Sequence, residues 1–324
     1  MCKLREERFI IKVVEMHFIQ GRSQVEIAKK LGVSRTTISR TVAQARQRGY
    51  IEFKVNYPAD ACPRQESLLE EKYNLREAII AGGKLDTNIH SEVASYVSDY
   101  ILRIIKSNMT IAISNGRSLN EVDEFMKDDV RLKFLKAKGV EVLPLIPSYN
   151  MPANVDEYHR IAYSNRNVSN IAQLLNAHSY HLLLPPLVSS KEMKEELLKE
   201  ESIRKVLMRI EQADMVAVGI GTLDDSSAGI NSGIVSTKEY HHLRKKGGKA
   251  EIMMHIIDEH GEVINDAYED RVTCMPLDKF KKIPIRVGVA YGMEKAEAIR
   301  AVLQGHLINV LITDEEVAKY LQDN

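Results

Sequence analysis

The sequence predicts an α/β protein in two parts, a small N-terminal helix-turn-helix and a larger domain built on a mostly parallel sheet. Capping residues and glycines divide the first 56 residues into three short helices. Short apolar runs then alternate with amphipathic helical stretches, which is typical of parallel strands covered by helices. A length of 324 residues also exceeds a usual single core. We therefore divide the chain into a head (1–56), a linker helix (57–75) and a body (76–324).

The head and the rest of the chain differ in charge, although the whole chain is neutral. Residues 1–54 contain twelve Lys and Arg against five Glu, a net charge of +7, so the remainder carries −7. A basic segment on an acidic body is typical of a protein whose small part alone meets a polyanion such as DNA.

Composition excludes several other classes of protein. No apolar run reaches the roughly 18 residues of a membrane-spanning helix, and the N-terminus lacks the apolar core of a signal peptide. The three cysteines, Cys2, Cys62 and Cys274, lie far apart and lack zinc-ligand spacing. We expect a cytoplasmic protein with reduced thiols, no membrane contact and no bound metal.

Caps and glycines mark the helices of the head. Ser23 and Glu26 have the spacing of a capping box, in which each side chain satisfies a backbone N–H of the other residue. Gly32 permits a turn, and Ser34 can cap the helix that follows. The helices are therefore expected over residues 4–19, 24–31 and 35–48.

The third helix of the head combines an apolar face with a face of hydrogen-bond donors. Ile38, Val42 and Ala45 recur at positions i, i+4 and i+7 and predict its inward side. The guanidinium and hydroxyl groups on the other side are suited to base edges and phosphates in a major groove. The predicted DNA contacts are Gln24, Lys29, Lys30, Ser34, Arg35, Thr36, Thr37, Ser39 and Arg40, with Gln24, Lys29 and Lys30 anchoring the DNA backbone. The alternative is a helical hairpin that only packs or dimerises.

Two short elements are expected after the third helix of the head. Residues 49–57 alternate apolar and polar side chains like a strand. Residues 64–73 predict a linker helix whose apolar face is formed by Leu68, Leu69 and Tyr73. This helix serves either self-association or packing within the chain.

In the body, seven apolar runs predict strands, and five amphipathic stretches predict helices between them. The strands are expected at 78–81, 110–114, 140–146, 180–184, 215–220, 285–290 and 310–312. The helices are expected at 89–106, 117–127, 190–212, 294–304 and 314–322.

Three of the expected strand ends carry polar or glycine-containing sequences, and in a parallel sheet ligands bind at such ends. After the second strand, the sequence from Asn115 through Gly116 and Arg117 to Ser118 offers an amide, a guanidinium and a hydroxyl that suit phosphate. Gly219 and Gly221 end another strand. Gly292 precedes Lys295, which stands in a first helical turn where the helix dipole disfavours a cation, so an anionic partner is indicated. At each position a simple turn is the alternative.

The head together with IPIRVGVAYGMEKAEAI at 283–299 and NVLITDEEVA at 309–318 resembles the SorC family of bacterial sugar-responsive transcriptional regulators. The resemblance covers nearly the whole chain. It implies a winged helix-turn-helix on a Rossmann-like domain, a tetramer, and DNA binding that is switched by phosphorylated sugars or related metabolites. It also implies that Gly116, Arg117, Ser118 and Lys295 contact the effector and that Glu251 lies near its hydroxyls. Glu251 itself, Lys249 and Tyr291 depart from the common family pattern.

We therefore expect a homo-oligomeric DNA-binding regulator of a carbohydrate or related operon, controlled by a phosphorylated sugar or polyol and without a cofactor. Two alternatives belong to other classes. One is an isomerase-like or deaminase-like enzyme acting on a sugar phosphate, with Glu251 or Asp314 as the general base. The other is a DNA binder that responds to no ligand.

Overall fold

The computed structural model describes residues 2–53, 62–82, 88–148 and 164–324. The chain forms two compact units, Met1–Pro58 and Ala59–Asn324, which we call the smaller and the larger unit. In the described residues no helix is long and apolar enough to cross a membrane.

The smaller unit consists of three helices around one apolar core. They are α1 (Cys2–Val14), which continues as a π-helical turn over Glu15–Ile19, α2 (Gln24–Leu31) and α3 (Arg35–Gln47). The predicted capping box is confirmed, because Ser23 and Glu26 each accept a backbone N–H of the other. Gly32 has a φ of 69°, a left-handed conformation that ends α2 at little cost only in glycine. The core is formed by Val13, Met16, Ile27, Ala28 and Ile38.

The strand expected at 49–57 is not present in its described part. Residues 51–53 have no regular structure, and residues 54–57 lie outside the described residues. The ring of Phe53 instead contacts the Phe18 ring and lies under the Arg46 guanidinium, 4.9 Å from its centroid. Phe53, one of the apolar positions that suggested a strand, therefore packs against the helices.

The larger unit is built on a seven-stranded sheet in which every pairing is parallel. The strands are β1 (Glu77–Ala81), β2 (Thr110–Ile113), β3 (Glu141–Pro144), β4 (His178–Ser179), β5 (Met215–Gly219), β8 (Ile285–Val289) and β9 (Val310–Asp314), in the order β1-β9-β8-β5-β2-β3-β4. A separate antiparallel hairpin joins β6 (Ala250–Ile252) to β7 (His255–Ile257). The predicted mostly parallel α/β class is confirmed.

Helices cover both faces of this sheet. They are α4 (Pro63–Tyr73), α5 (Ile89–Ile104), α6 (Val122–Met126), α7 (Ser164–Leu175), α8 (Lys191–Lys199), α9 (Glu201–Glu211), α10 (Ala228–Asn231), α11 (Thr237–Lys245), α12 (Leu277–Phe280), α13 (Ala296–Gln304) and α14 (Glu315–Asp323). Alternate residues of β5 enter different cores, because successive side chains of a strand point to opposite faces. Val216 and Val218 belong to one core, while Met215 and Ala217 belong to the other.

Several details of the larger unit differ from the sequence prediction, among them the helices α7 and α11, which were not predicted. The strand expected at 180–184 is β4 at His178–Ser179 instead, and Leu182 and Leu184 are buried from a loop, which gives the same apolar signal. The helix expected at 190–212 is interrupted at Glu200, whose ψ of 123° is extended. The hairpin of β6 and β7 was not predicted.

The linker helix α4 packs within the larger unit. Leu69 and Tyr73 are buried in its core, and the Tyr73 hydroxyl donates to the Leu321 carbonyl at 3.0 Å. The carboxylates of Glu66 and Glu70 accept the backbone N–H groups of Ile80 and Ala78 in β1, at 3.1 and 3.0 Å. These bonds occupy the outer edge of an edge strand, which would otherwise be open to pairing with another chain.

Candidate functional site

The smaller unit presents the predicted nucleic-acid face on α3. Arg35, Thr36, Ser39 and Arg40 are exposed, whereas Ile38 beneath them is fully buried. The helix contains no acidic residue, so its exposed face carries only neutral and positive groups. Such a face can meet both phosphates and base edges.

The remaining predicted DNA contacts lie at the start of α3 and on α2. Lys29 and Lys30 are exposed, and Gln24 is half-buried at the first residue of α2. The Ser34 hydroxyl accepts the Thr37 N–H at 3.1 Å and shares a 2.8 Å hydrogen bond with the Thr37 hydroxyl. The Ser34 hydroxyl therefore caps the helix, and the Thr37 hydroxyl is paired with it.

A cavity of about 660 Å³ opens in the larger unit where β2, β5 and β8 end. From β2 the chain continues to β3, towards one edge of the sheet. From β5 it continues to β8 and β9, towards the opposite edge. This reversal between neighbouring strands leaves a crevice, which is where open α/β sheets bind small molecules. The volume lies within the roughly 300–1,000 Å³ that is usual for such sites.

Most of the predicted effector contacts line this one cavity. They are Asn115, Gly116, Arg117, Ser118, Gly219, Gly221, Glu251 and Lys295. Gly292 does not line it: its N–H donates to the Asp314 carboxylate at 2.5 Å, and its φ is 90°. Gly292 thus shapes the loop that carries Lys295.

Two cations share one end of the cavity. Arg117 is exposed, while Lys295 is half-buried with its Nζ 5.9 Å from the centroid of the Tyr291 ring. Burial lowers the pKa of the Lys295 ammonium, and the nearby Arg117 guanidinium lowers it further. A desolvated ammonium beside a second cation is an arrangement that an anionic ligand would stabilise.

Glu251 forms a different part of the wall. Its backbone exchanges two hydrogen bonds of 2.9 Å with Gly221, and its carboxylate accepts the Tyr240 hydroxyl at 2.7 Å. Burial raises the pKa of Glu251, although the Tyr240 hydrogen bond opposes this effect. A Cβ on Gly221 would stand 3.3 Å from Glu251 Oε2, so glycine permits the close approach. The remaining lone pairs of the carboxylate can accept ligand hydroxyls.

Two methionines complete this wall without any signal in the sequence. Met253 and Met254 form the two-residue turn between β6 and β7, with φ of 50° and 67°. Turns of this geometry usually contain Asn and Gly, so two methionines gave no reason to predict a hairpin. Both side chains are buried and line the cavity.

His90 and Tyr291 also line the cavity and were not among the predicted contacts. They form a hydrogen bond between His90 Nδ1 and the Tyr291 hydroxyl across 201 residues of sequence. The departure of Tyr291 from the family pattern was the only sequence signal for this pair.

Of the two candidate general bases of the enzyme alternative, Glu251 lines the cavity and Asp314 does not. The Asp314 carboxylate accepts the N–H groups of Gly292 and Val317 and so caps α14. In the described ranges no cluster of His, Cys, Asp and Glu has the geometry to hold a metal ion.

Comparison with known proteins agrees with both parts of the chain. The family model for the sugar-binding domain matches residues 57–322. The chain belongs to this sugar-binding domain family. The model for region 4 of sigma-70 factors, a helix-turn-helix, matches residues 12–48. The resemblance to SorC-family regulators is thereby confirmed.

Relatives of this sugar-binding family match over almost the whole chain. The transcriptional regulator LsrR of Escherichia coli (strain K12) is 26% identical over 322 residues, 98% of this chain and 94% of that protein. The deoxyribonucleoside regulator of Bacillus subtilis (strain 168) is 24% identical and covers 98% of this chain and 97% of that one. The crystal structure of the full-length sorbitol operon regulator SorC from Klebsiella pneumoniae has the same fold, with a TM-score of 0.71 at 23% identity over 97% of this chain and 98% of that one.

Proposed function

We propose that the chain is a DNA-binding transcriptional regulator whose helix-turn-helix is controlled by a phosphorylated sugar or polyol bound in the cavity of the larger unit. The observation that carries this proposal is the convergence of Arg117, Lys295 and Glu251 on one cavity. The cations suit a phosphate, and the carboxylate suits sugar hydroxyls. A phosphorylated sugar or polyol carries both kinds of group.

The DNA-binding part of the proposal is supported by charge and by relatives. Residues 1–54 have a net charge of +7, and α3 exposes Arg35 and Arg40 without an acidic residue on that helix. Both curated relatives named above are regulators, and one is named for deoxyribonucleosides. We therefore propose a sensor of a carbohydrate-type metabolite in place of an enzyme.

We further propose that the regulator acts as a homo-oligomer, a dimer or a tetramer. Paired heads would match two half-sites about one helical turn, roughly 34 Å, or a multiple apart. A ligand would change operator binding by binding the competent and incompetent states with different affinities.

The experiment is a thermal shift screen of the full chain against sugar phosphates and their unphosphorylated counterparts. A ligand that binds only the folded state raises Tm. At a concentration of 100 times its Kd it increases the free energy of unfolding by about 2.7 kcal/mol. We expect shifts from phosphorylated compounds and smaller or no shifts from the matched free sugars. The absence of any shift across the panel, with operator binding intact, would favour a DNA binder that responds to no ligand.

A further inference from the structure

His90 is held at the cationic end of the cavity by contacts on two sides. Its backbone carbonyl accepts the Ser118 hydroxyl at 3.0 Å, which joins the start of α5 to the loop after β2. Its ring Nδ1 is hydrogen-bonded to the Tyr291 hydroxyl in the loop after β8. Within the described parts of the chain, Nε2 makes no hydrogen bond, although the residue lines the cavity. The second nitrogen of a fixed ring is therefore open to a ligand.

Burial and the charges around His90 favour the neutral form of its ring. Burial lowers the pKa of His90, and the cations Arg117 and Lys295 lower it further. Glu121 and Glu294 act in the opposite direction but do not offset these effects. An imidazole whose pKa lies below its ordinary value is mostly neutral at pH 7.

We propose that His90 is a third, titratable contact of the anion subsite and takes up a proton from solvent when an anion binds beside Arg117 and Lys295. The inference rests on the proposed function, because it needs an anion at this end of the cavity. The anion offsets the two cations that keep the ring neutral. The protonated ring then donates from Nδ1 to the Tyr291 hydroxyl and from Nε2 to the anion.

The sign of the pH dependence follows from this exchange of charge. The pKa of His90 is lowered without ligand and raised by the bound anion. The affinity for the anion therefore increases as the pH falls from above the pKa of His90 in the complex to below its pKa in the free protein. The uptake of one proton limits the effect to about tenfold per pH unit. Lys295 and Glu251 also line the cavity and can titrate, but their contributions remain when His90 is replaced.

The experiment is calorimetry of sulfate binding to the full chain, because the charge of sulfate does not change between about pH 5 and pH 9. Titrations at pH 6.5 in two non-phosphate buffers of different ionisation enthalpy give the number of protons taken up. We compare the wild-type chain with His90→Asn, which can retain a hydrogen bond to Tyr291, and with His90→Gln. His260→Asn is the matched control, since His260 is exposed and outside the cavity.

We expect wild type and His260→Asn to take up a substantial fraction of a proton per sulfate, with affinity tightening several-fold from pH 8 to pH 6. His90→Asn and His90→Gln should still bind sulfate, but with the uptake and most of the pH slope removed. Equal uptake in wild type and both His90 variants, or sulfate binding without uptake in wild type, would overturn the role of His90 alone. A wild-type chain that binds no sulfate would overturn the anion subsite and with it the proposed function.

Discussion

Replacement of Lys295 by methionine separates the stability of the empty protein from its response to ligand. The Lys295 ammonium is half-buried, and its pKa is lowered by burial and by Arg117. Its charged form is therefore less favourable in the folded chain than in the unfolded chain at neutral pH. Methionine has a similar unbranched shape and no charge. We expect Lys295→Met to raise the Tm of the empty protein and to weaken ligand binding.

The two effects have opposite signs and different sizes. Relief of an unfavourable buried charge is worth on the order of 1 kcal/mol, or roughly 2–4 °C in a domain of this size. Loss of a charged partner to a bound phosphate costs about 2–4 kcal/mol, which weakens affinity about 30-fold to about 1000-fold. A ligand at 100 times the wild-type Kd then stabilises the variant by less than about 1 kcal/mol. The ligand-induced Tm shift should therefore largely disappear.

The assay is thermal unfolding with and without the sugar phosphate that shifts wild type most. Lys249→Met is the matched control, because Lys249 is exposed, lies outside the cavity and is paired with Glu297 at 3.5 Å. Without ligand, the increase in Tm of Lys295→Met over wild type should become smaller as the pH rises towards the ordinary lysine pKa, since the wild-type ammonium then loses its proton. A variant that is destabilised at neutral pH, or that keeps the full ligand shift, would refute the reasoning.

Three further predictions concern other residues. Burial raises the pKa of Glu251, so wild type should lose stability as the pH rises through the raised pKa of this carboxyl group. In Tm measurements, Glu251→Gln should be more stable than wild type at pH 8 and no more stable at pH 4. Gly221→Ala should weaken sugar-phosphate binding several-fold relative to wild type in calorimetry, because the new Cβ would lie 3.3 Å from Glu251 Oε2. Arg40→Ala should lose about 1–3 kcal/mol of operator affinity and flatten its salt dependence, unlike the control Lys12→Ala on α1; an unchanged salt slope would argue against Arg40 as a DNA contact.

Local signals explain why the smaller unit and the cavity edge could be predicted. Ser23 and Glu26, which form the capping box, are only three residues apart, so the cap can be recognised in the sequence itself. The ends of parallel strands meet at one edge of a sheet whatever their order, which brought Arg117, Gly219 and Lys295 together without knowledge of the topology.

Contacts that depend on packing between distant segments could not be predicted. The hydrogen bond of His90 to Tyr291 spans 201 residues, and Tyr240 reaches Glu251 from a helix that had no prediction. The turn at Met253 and Met254 lacks the residues that normally mark a hairpin. In each case the signal resides in tertiary packing and not in local sequence.

We expect occupancy of the cavity to change DNA binding. The most direct test of this coupling is fluorescence anisotropy of a labelled operator, obtained by selection from random DNA and titrated with the full chain with and without a saturating sugar phosphate. We predict that the operator Kd of wild type changes by about 5–150-fold with ligand, the usual range of coupling between two sites. The same ligand concentration should leave the operator Kd of Lys295→Met nearly unchanged. An operator Kd that is equal with and without a ligand that demonstrably binds wild type would contradict the account.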